Sequence, residues 1–435
     1  MTVMEKLQAI SHENCLCGRR HPLLTKEALV VPDGPKALCG LLTKAHPKGK
    51  ILVICDDIVY DILGKRSYEM LKEIAAAEIL VLKSHNLHAN EWSIGAAMME
   101  ISPETSFVAA VGTGTVNDIA RYAAYSARIP YAIIGTSPSM DGFTSQASPL
   151  LKRNLKTTFN AIAPDYALLD LPVMQNSPKE MIAAGLGDIL GKYIALCDWK
   201  LSNLVIGEYI CPEIWNLMRE AVDTIVAEVD NIPSRGGQAI TNLGKGLLLS
   251  GAAMQMVNST RPASGAEHLL SHFWEMRQNL RGGHTALHGD KVGVGTLFML
   301  DYYKKFFEKQ RDFKSVDIDK WIKDARAAFG AVAKEIFKVN NSDQPPPETI
   351  YENGVKHWDA LKKESDLITS HREELAKYLQ ICGGPTTPAE IGVDKKDLRD
   401  ALLYAQEIRP RFTITRLAYA WGVHQDIVEE LLDEM

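Results

Sequence analysis

Along the first 170 residues, short apolar runs alternate with amphipathic stretches. KILVIC (50–55), EILVLKS (78–84), SFVAAVG (106–112), YAIIG (131–135) and YALLDL (166–171) have strand length. SYEMLKEIAAA (67–77) and VNDIARYAAYSA (116–127) lie between them with helical periodicity. This alternation predicts a mostly parallel, Rossmann-like sheet with helices on both faces. After Pro172 strand-like runs almost vanish and long helical patterns continue to Met435. The first, SPKEMIAAGLGDIL, opens with Ser177 as N-cap, Pro178 at the first helical position and Glu180 completing a capping box. NNSDQPPPE (340–348) reads as a proline-rich surface loop. The chain therefore reads as an α/β domain, residues 1–172, followed by an all-α domain, residues 173–435, with ligand chemistry where the halves meet.

Composition narrows the class. Apolar residues make up 46% and charged residues 23%, as in soluble globular proteins. A net charge of −6 argues against nucleic acid, which selects a basic face, and points to small-molecule partners. The apolar stretch GLLLSGAAMQMV (246–257) is too short to span a bilayer and reads as a core helix. MTVMEKLQAI lacks the pattern of a secretory signal, and seven scattered cysteines suit reduced thiols, so a cytoplasmic location is expected. Cys15, Cys17 and His21 form a C-x-C with one histidine, too few ligands for a zinc site.

Candidate chemistry concentrates in three places. AAVGTGTVNDIARYAAY (109–125) is a strand, a Gly-x-Gly turn and a helix. Gly112 and Gly114 allow a close backbone approach, and the helix start offers free N–H groups to a phosphate. It is not the full dinucleotide fingerprint, because Asp118 occupies the third glycine's place. The second place is IIGTSPSMDGFTS (133–145), where small hydroxyl residues and Asp141 follow a strand. The third is SGAEHLLSHFWEMRQNLRGGHTALHGDKVGVGT (264–296), with four of the chain's twelve histidines, His268, His272, His284 and His288. His268 and His272 share a helix face, and His288 opens a second helical pattern. Two imidazoles and a carboxylate make a three-ligand site with an open position, and Asp188, in the apolar GLGDILGKY, is the best carboxylate candidate. The same histidines also fit a solvated helix face.

Taken in order, VGTGTVND, TSPSMDGFTS, GLGDILGKY, SGAEHLLSH and LHGDKVGVGT resemble the superfamily of glycerol dehydrogenases, iron-type alcohol dehydrogenases and dehydroquinate synthases. Within it the chain is most similar to the bacterial form of the sn-glycerol-1-phosphate dehydrogenases, over roughly residues 20 to 430. The resemblance implies that Gly114, Thr115, Val116, Asn117 and Asp118 hold the NAD(P) pyrophosphate. Thr136, Ser137, Pro138, Ser139 and Ser145 would complete the cofactor site. It implies metal ligation, by zinc or nickel, at Asp188, His268 and His288. Asp141 and His272 would face the substrate, with Asp188 near it and His272 or a metal-bound water as proton donor, while His284 would be structural.

The implied reaction is reversible, metal-dependent reduction of dihydroxyacetone phosphate to sn-glycerol 1-phosphate, feeding glycerophospholipid synthesis, in a homodimer. Lys192 and Arg261 are candidate cations for the substrate phosphate, and the acidic helix HQDIVEELLDEM offers surface for self-association. Departures from sister families matter. Lys192 stands where iron-type alcohol dehydrogenases place a fourth ligand, a histidine, and Asp188 where dehydroquinate synthases have glutamate. Thr113 interrupts the three consecutive glycines usual in the superfamily but fits the bacterial glycerol-1-phosphate branch. The competing readings are a glycerol dehydrogenase acting on unphosphorylated polyol, a cyclase of the dehydroquinate class and a non-catalytic sugar-phosphate sensor.

Overall fold

The computed structural model describes residues 3–11, 15–45, 48–153, 155–282, 286–339 and 344–434. It divides into two compact units that do not follow chain order. One comprises Met1–Ile189 with Glu220–Thr260, the other Leu190–Arg219 with Arg261–Met435. The change of texture at residue 172 marks the end of the strands, but helices on both sides of residue 190 belong to the first unit.

The strands of the first unit are β1 (Glu27–Val31), β2 (Lys50–Asp56), β3 (Ala77–Leu82), β4 (Thr105–Gly112), β5 (Tyr131–Gly135), β6 (Ala147–Lys152), β7 (Leu155–Asn160) and β8 (Tyr166–Asp170). Six form one parallel sheet in the order β1-β8-β5-β4-β2-β3, and β6 and β7 form an antiparallel hairpin. All five expected runs are strands of the large sheet; β1, β6 and β7 are additional. Every residue of β5 and of β8 is buried, as strands covered on both faces require. Ile51, Val53, Phe107, Val111, Ile134 and Leu168 meet Leu38 and Leu42 of the helix Gly34–Ala45 in one core cluster.

The sheet's register brings two loops together. Gly112, the last residue of β4, pairs with Gly135, the last of β5. Thr136 N–H then donates to the Gly112 carbonyl at 3.1 Å. The glycine turn and the TSPSMDG loop thus start side by side at the carboxyl ends of adjacent strands, where open parallel sheets bind ligands. The helix expected after Pro172 spans Lys179–Leu190, and the Ser177 hydroxyl donates to the Met174 carbonyl at 2.7 Å, at the end of the preceding helix. GLLLSGAAMQMV lies in the helix Gly237–Val257 and is buried throughout. Among the described residues, no helix is long and apolar enough to cross a membrane.

The second unit is helical. Its core includes an aromatic cluster in which the Trp358 and Trp421 rings stack at 5.8 Å and Phe306 lies 5.2 Å from Trp421. The C-terminal helix His424–Asp433 buries His424, Ile427, Val428 and Leu431, so its apolar face is spent inside the subunit rather than offered for self-association. In the proline-rich stretch, residues 340–343 lie outside the described residues and Pro347 starts the helix Pro347–Lys356.

Candidate active site

In the first unit, the helix Gly114–Ala127 follows β4 after a single residue, Thr113. Thr113 has extended backbone and makes no side-chain capping bond. The first-turn N–H groups of Gly114, Thr115 and Val116 therefore have no side-chain cap from it, which suits an anionic group at this helix end. Burial pushes the Asp118 carboxyl up to about 7, against the pull of the Arg121 guanidinium 2.9 Å away.

Arg121 is the hub of this region, and sequence reasoning missed it. Fully buried, it donates through Nε to the Tyr131 hydroxyl at 2.7 Å and through Nη1 to the Ala147 carbonyl at 2.8 Å. Its Nη2 donates to the carbonyls of Gly142 and Phe143. The buried Asn117 side chain donates to the same Gly142 carbonyl at 3.3 Å. Asn117 thus braces the turn after Asp141 with its side chain, leaving its backbone in the first turn of the helix.

The loop after β5 carries Thr136, Ser137 and Pro138, all buried, then half-buried Ser139. Gly185 fixes its position: a Cβ added there would lie 1.6 Å from the Pro138 carbonyl oxygen. Only glycine permits this approach of helix to loop. One turn further on, Asp188 is fully buried, and its Oδ2 accepts the Asp141 N–H at 3.0 Å. The Asp141 Oδ2 in turn accepts the Ser250 hydroxyl at 2.7 Å. Ser145 is buried close by in sequence and accepts the Ala147 N–H at 3.0 Å.

In the second unit, His268 and His272 lie on the helix Ala266–Arg281, and His288 opens the helix His288–Phe307. The three rings gather, with centroids 6.2 Å apart for His268 and His272, 5.3 Å for His268 and His288, and 5.6 Å for His272 and His288. Glu275 adds a carboxylate, 4.0 Å from His272 Nδ1 and 3.9 Å from His288 Nδ1. The Glu267 Oε1 lies 2.6 Å from His268 Nδ1 and also accepts the Gly265 N–H at 2.8 Å. A carboxylate on Nδ1 selects the tautomer that presents Nε2 as a lone-pair donor, the usual setting of a metal-binding histidine.

Asp198 anchors the start of the same helix. Its carboxylate accepts the Ala266 N–H and the Tyr303 hydroxyl at 2.7 Å each, and the Ile414 N–H at 2.8 Å. Burial pushes it up to about 7, while these donors act in the opposite direction.

His284 lies outside the described residues. Lys192 is fully buried as the first residue of the helix Lys192–Ile206, separated from the helix of Asp188 by Gly191. Arg261 is committed elsewhere: it pairs with Glu208 through Nε at 2.7 Å and through Nη2, and donates through Nη1 to the Phe412 carbonyl at 2.8 Å. Three of its five N–H donors are thereby committed to protein partners. Lys291, one turn after His288, is a second fully buried lysine that sequence reasoning passed over.

A model of the family of iron-containing alcohol dehydrogenases matches residues 32–178. A glycerol-1-phosphate dehydrogenase of Bacillus licheniformis, named as working with NAD(P)+, is 31% identical over 414 residues, covering 94% of this chain and 92% of the relative. A Geobacillus stearothermophilus enzyme of the same name is 32% identical over 423 residues, covering 94% and 96%. One from Pyrococcus horikoshii is 28% identical, covering 83% and 84%. A probable glycerol dehydrogenase from Sinorhizobium meliloti has a similar fold, with a TM-score of 0.63 at 16% identity over 95% of this chain and 98% of that one.

Proposed function

The chain belongs to the glycerol-1-phosphate dehydrogenase family, and from that premise we propose how its residues carry out the reaction. It is an NAD(P)-linked oxidoreductase that interconverts glycerol 1-phosphate and dihydroxyacetone phosphate. The secondary alcohol loses a hydride to the nicotinamide and a proton to the protein or solvent; reduction runs the same steps backwards. We place it in the cytoplasm, where the product would supply backbones for glycerophospholipids.

The observation that carries the proposal is the gathering of His268, His272 and His288 in the second unit, with Glu267 fixing the His268 tautomer. These donors fit a divalent metal, with His268 and His288 as ligands and Asp188 as the carboxylate of the set; zinc and nickel both accept such ligands. The metal, when bound, supplies Lewis-acid polarisation of the substrate oxygen, and the nicotinamide exchanges the hydride. His272 takes the alcohol proton during oxidation and returns it during reduction, as imidazole titrates near neutrality. Asp141, held by Ser250, orients the substrate hydroxyls. The helix start at Gly114 to Asp118 and the loop Thr136 to Ser139, with Ser145, hold the cofactor. Lys192 and Lys291 are the buried ammonium groups assigned to the substrate phosphate. A homodimer is part of the proposal; Trp92 and Met99, 86% and 81% exposed on the helix Glu91–Glu100, leave apolar surface that a second subunit would cover.

The test is chelation and add-back. Chelator treatment should abolish dihydroxyacetone phosphate reduction, and one divalent ion should restore it. Full turnover of protein verified to be free of metal at this centre would refute the proposal. Metal retained by a His268→Ala variant but lost from a Glu275→Gln variant would move the ion to His272, Glu275 and His288, whose ligand atoms lie within 4.8 Å of one another.

A further inference from the structure

The turn Cys15 to His21 is unused by this chemistry, yet it gathers three metal-ligand side chains. Gly18 N–H donates to the Cys15 carbonyl at 2.8 Å, with a φ of 78° that favours glycine. This tight turn brings Cys15 Sγ, Cys17 Sγ and a ring nitrogen of His21 within 4.8 Å of one another. Cys17 Sγ lies 3.1 Å from His21 Nε2. Two ligands of a tetrahedral zinc ion, sulfur at ~2.3 Å and nitrogen at ~2.1 Å, stand about 3.6 Å apart. The Cys17–His21 separation is close to that value, and no pair of the three exceeds 4.8 Å.

The other edge of the His21 ring makes the second observation. Its Nδ1 lies 2.9 Å from the Met256 carbonyl oxygen, which accepts only, so Nδ1 carries the proton. Nε2 is therefore the lone-pair nitrogen, and it faces Cys17. An imidazole tied through Nδ1–H to a backbone carbonyl is the supported form of a metal ligand. His21 is 2% exposed and Cys15 5% exposed, as in a closed structural site.

We propose that Cys15, Cys17 and His21 bind a zinc ion. Two thiolates and one imidazole are a donor set that zinc accepts, with its fourth position left to a further donor.

Two measurements on the full-length chain decide the matter. After brief chelation that clears the catalytic centre, elemental analysis should find one zinc retained per chain. Protein produced with cobalt should show a thiolate-to-cobalt charge-transfer band in the near ultraviolet. The proposed catalytic ligands contain no thiolate, so the band reports this site alone. Cys15→Ser and Cys17→Ser should each lose the retained zinc and the band. Absence of both in the unaltered chain, or a Cys15–Cys17 disulfide there, would overturn the proposal even if the variants fail to fold. A folded Cys17→Ser variant with full zinc content would also overturn it.

Discussion

The Glu267 carboxylate oxygen stands 2.6 Å from Nδ1 of His268, its neighbour in sequence. Both side chains are buried at the start of the helix Ala266–Arg281. The contact raises the basicity of Nε2 and holds the ring in one orientation. Glu267→Gln keeps the shape and removes the charge. It should weaken divalent-metal affinity by about 10–100-fold, measured by competition with a chelator, in a protein whose circular dichroism is unaltered. Unchanged affinity would mean that the contact serves the helix start alone.

The two histidines of one helix face should separate by experiment. His268→Ala is expected to lose metal and turnover together. His272→Ala is expected to keep its metal and lose about 10²–10⁴-fold in kcat/KM, the usual worth of a general base. The opposite pattern, measured by metal content beside steady-state rates, would exchange their roles.

Gly185→Ala forces a methyl group against the Pro138 carbonyl, which must move because the contact is to backbone. Overpacking of this kind costs about 1–3 kcal/mol, and a backbone obstacle places it at the upper end. The displaced loop contains Thr136 to Ser139, so NADH affinity should fall together with thermal stability. A fluorescence titration and a melting curve read both; a variant with native values in each would show that the helix and loop are not locked together.

Much of the fold was legible because buried parallel strands are continuous apolar runs, as in YAIIG and YALLDL. β1 was not: EALVV is short and only Ala28 in it is buried. The hairpin β6–β7 reads as ASPLLK and LKTTFN, without a clear alternation. The histidine pair was legible from its spacing of four. Arg121, Glu267 and Ser250 were not, since a buried charge or hydroxyl looks like a surface residue until its partners, distant in sequence or in space, are known. Gly185 belongs with them: its need is set by a carbonyl 47 residues away at Pro138, which no local pattern announces.

Acid should destabilise the second unit through His424. Burial lowers this imidazole to about 4; its Nδ1 meets the Tyr302 hydroxyl at 2.6 Å, its Nε2 the Leu403 carbonyl at 2.9 Å, and the Arg416 charge also disfavours protonation. The Trp321 ring packs beside it. The unfolded chain binds this proton near pH 6.5 and the folded chain only near 4. Stability from this group is therefore whole above about pH 6.5, falls as pH drops towards 4, and changes no further below that. The full loss is on the order of 3 kcal/mol. Melting temperature against pH should flatten across this window in His424→Gln; an unchanged slope would assign the acid sensitivity to other groups.

The central claim is that the substrate is the phosphorylated triol. The most direct measurement compares steady-state oxidation of sn-glycerol 1-phosphate and of glycerol by the metal-loaded enzyme, with NAD+ and with NADP+. The account predicts a kcat/KM about 10³-fold or more higher for the phosphate ester, because glycerol lacks the phosphate and so forfeits the charge-assisted contacts assigned to it. Turnover of glycerol at an equal or greater kcat/KM, with sn-glycerol 1-phosphate inert, would contradict it.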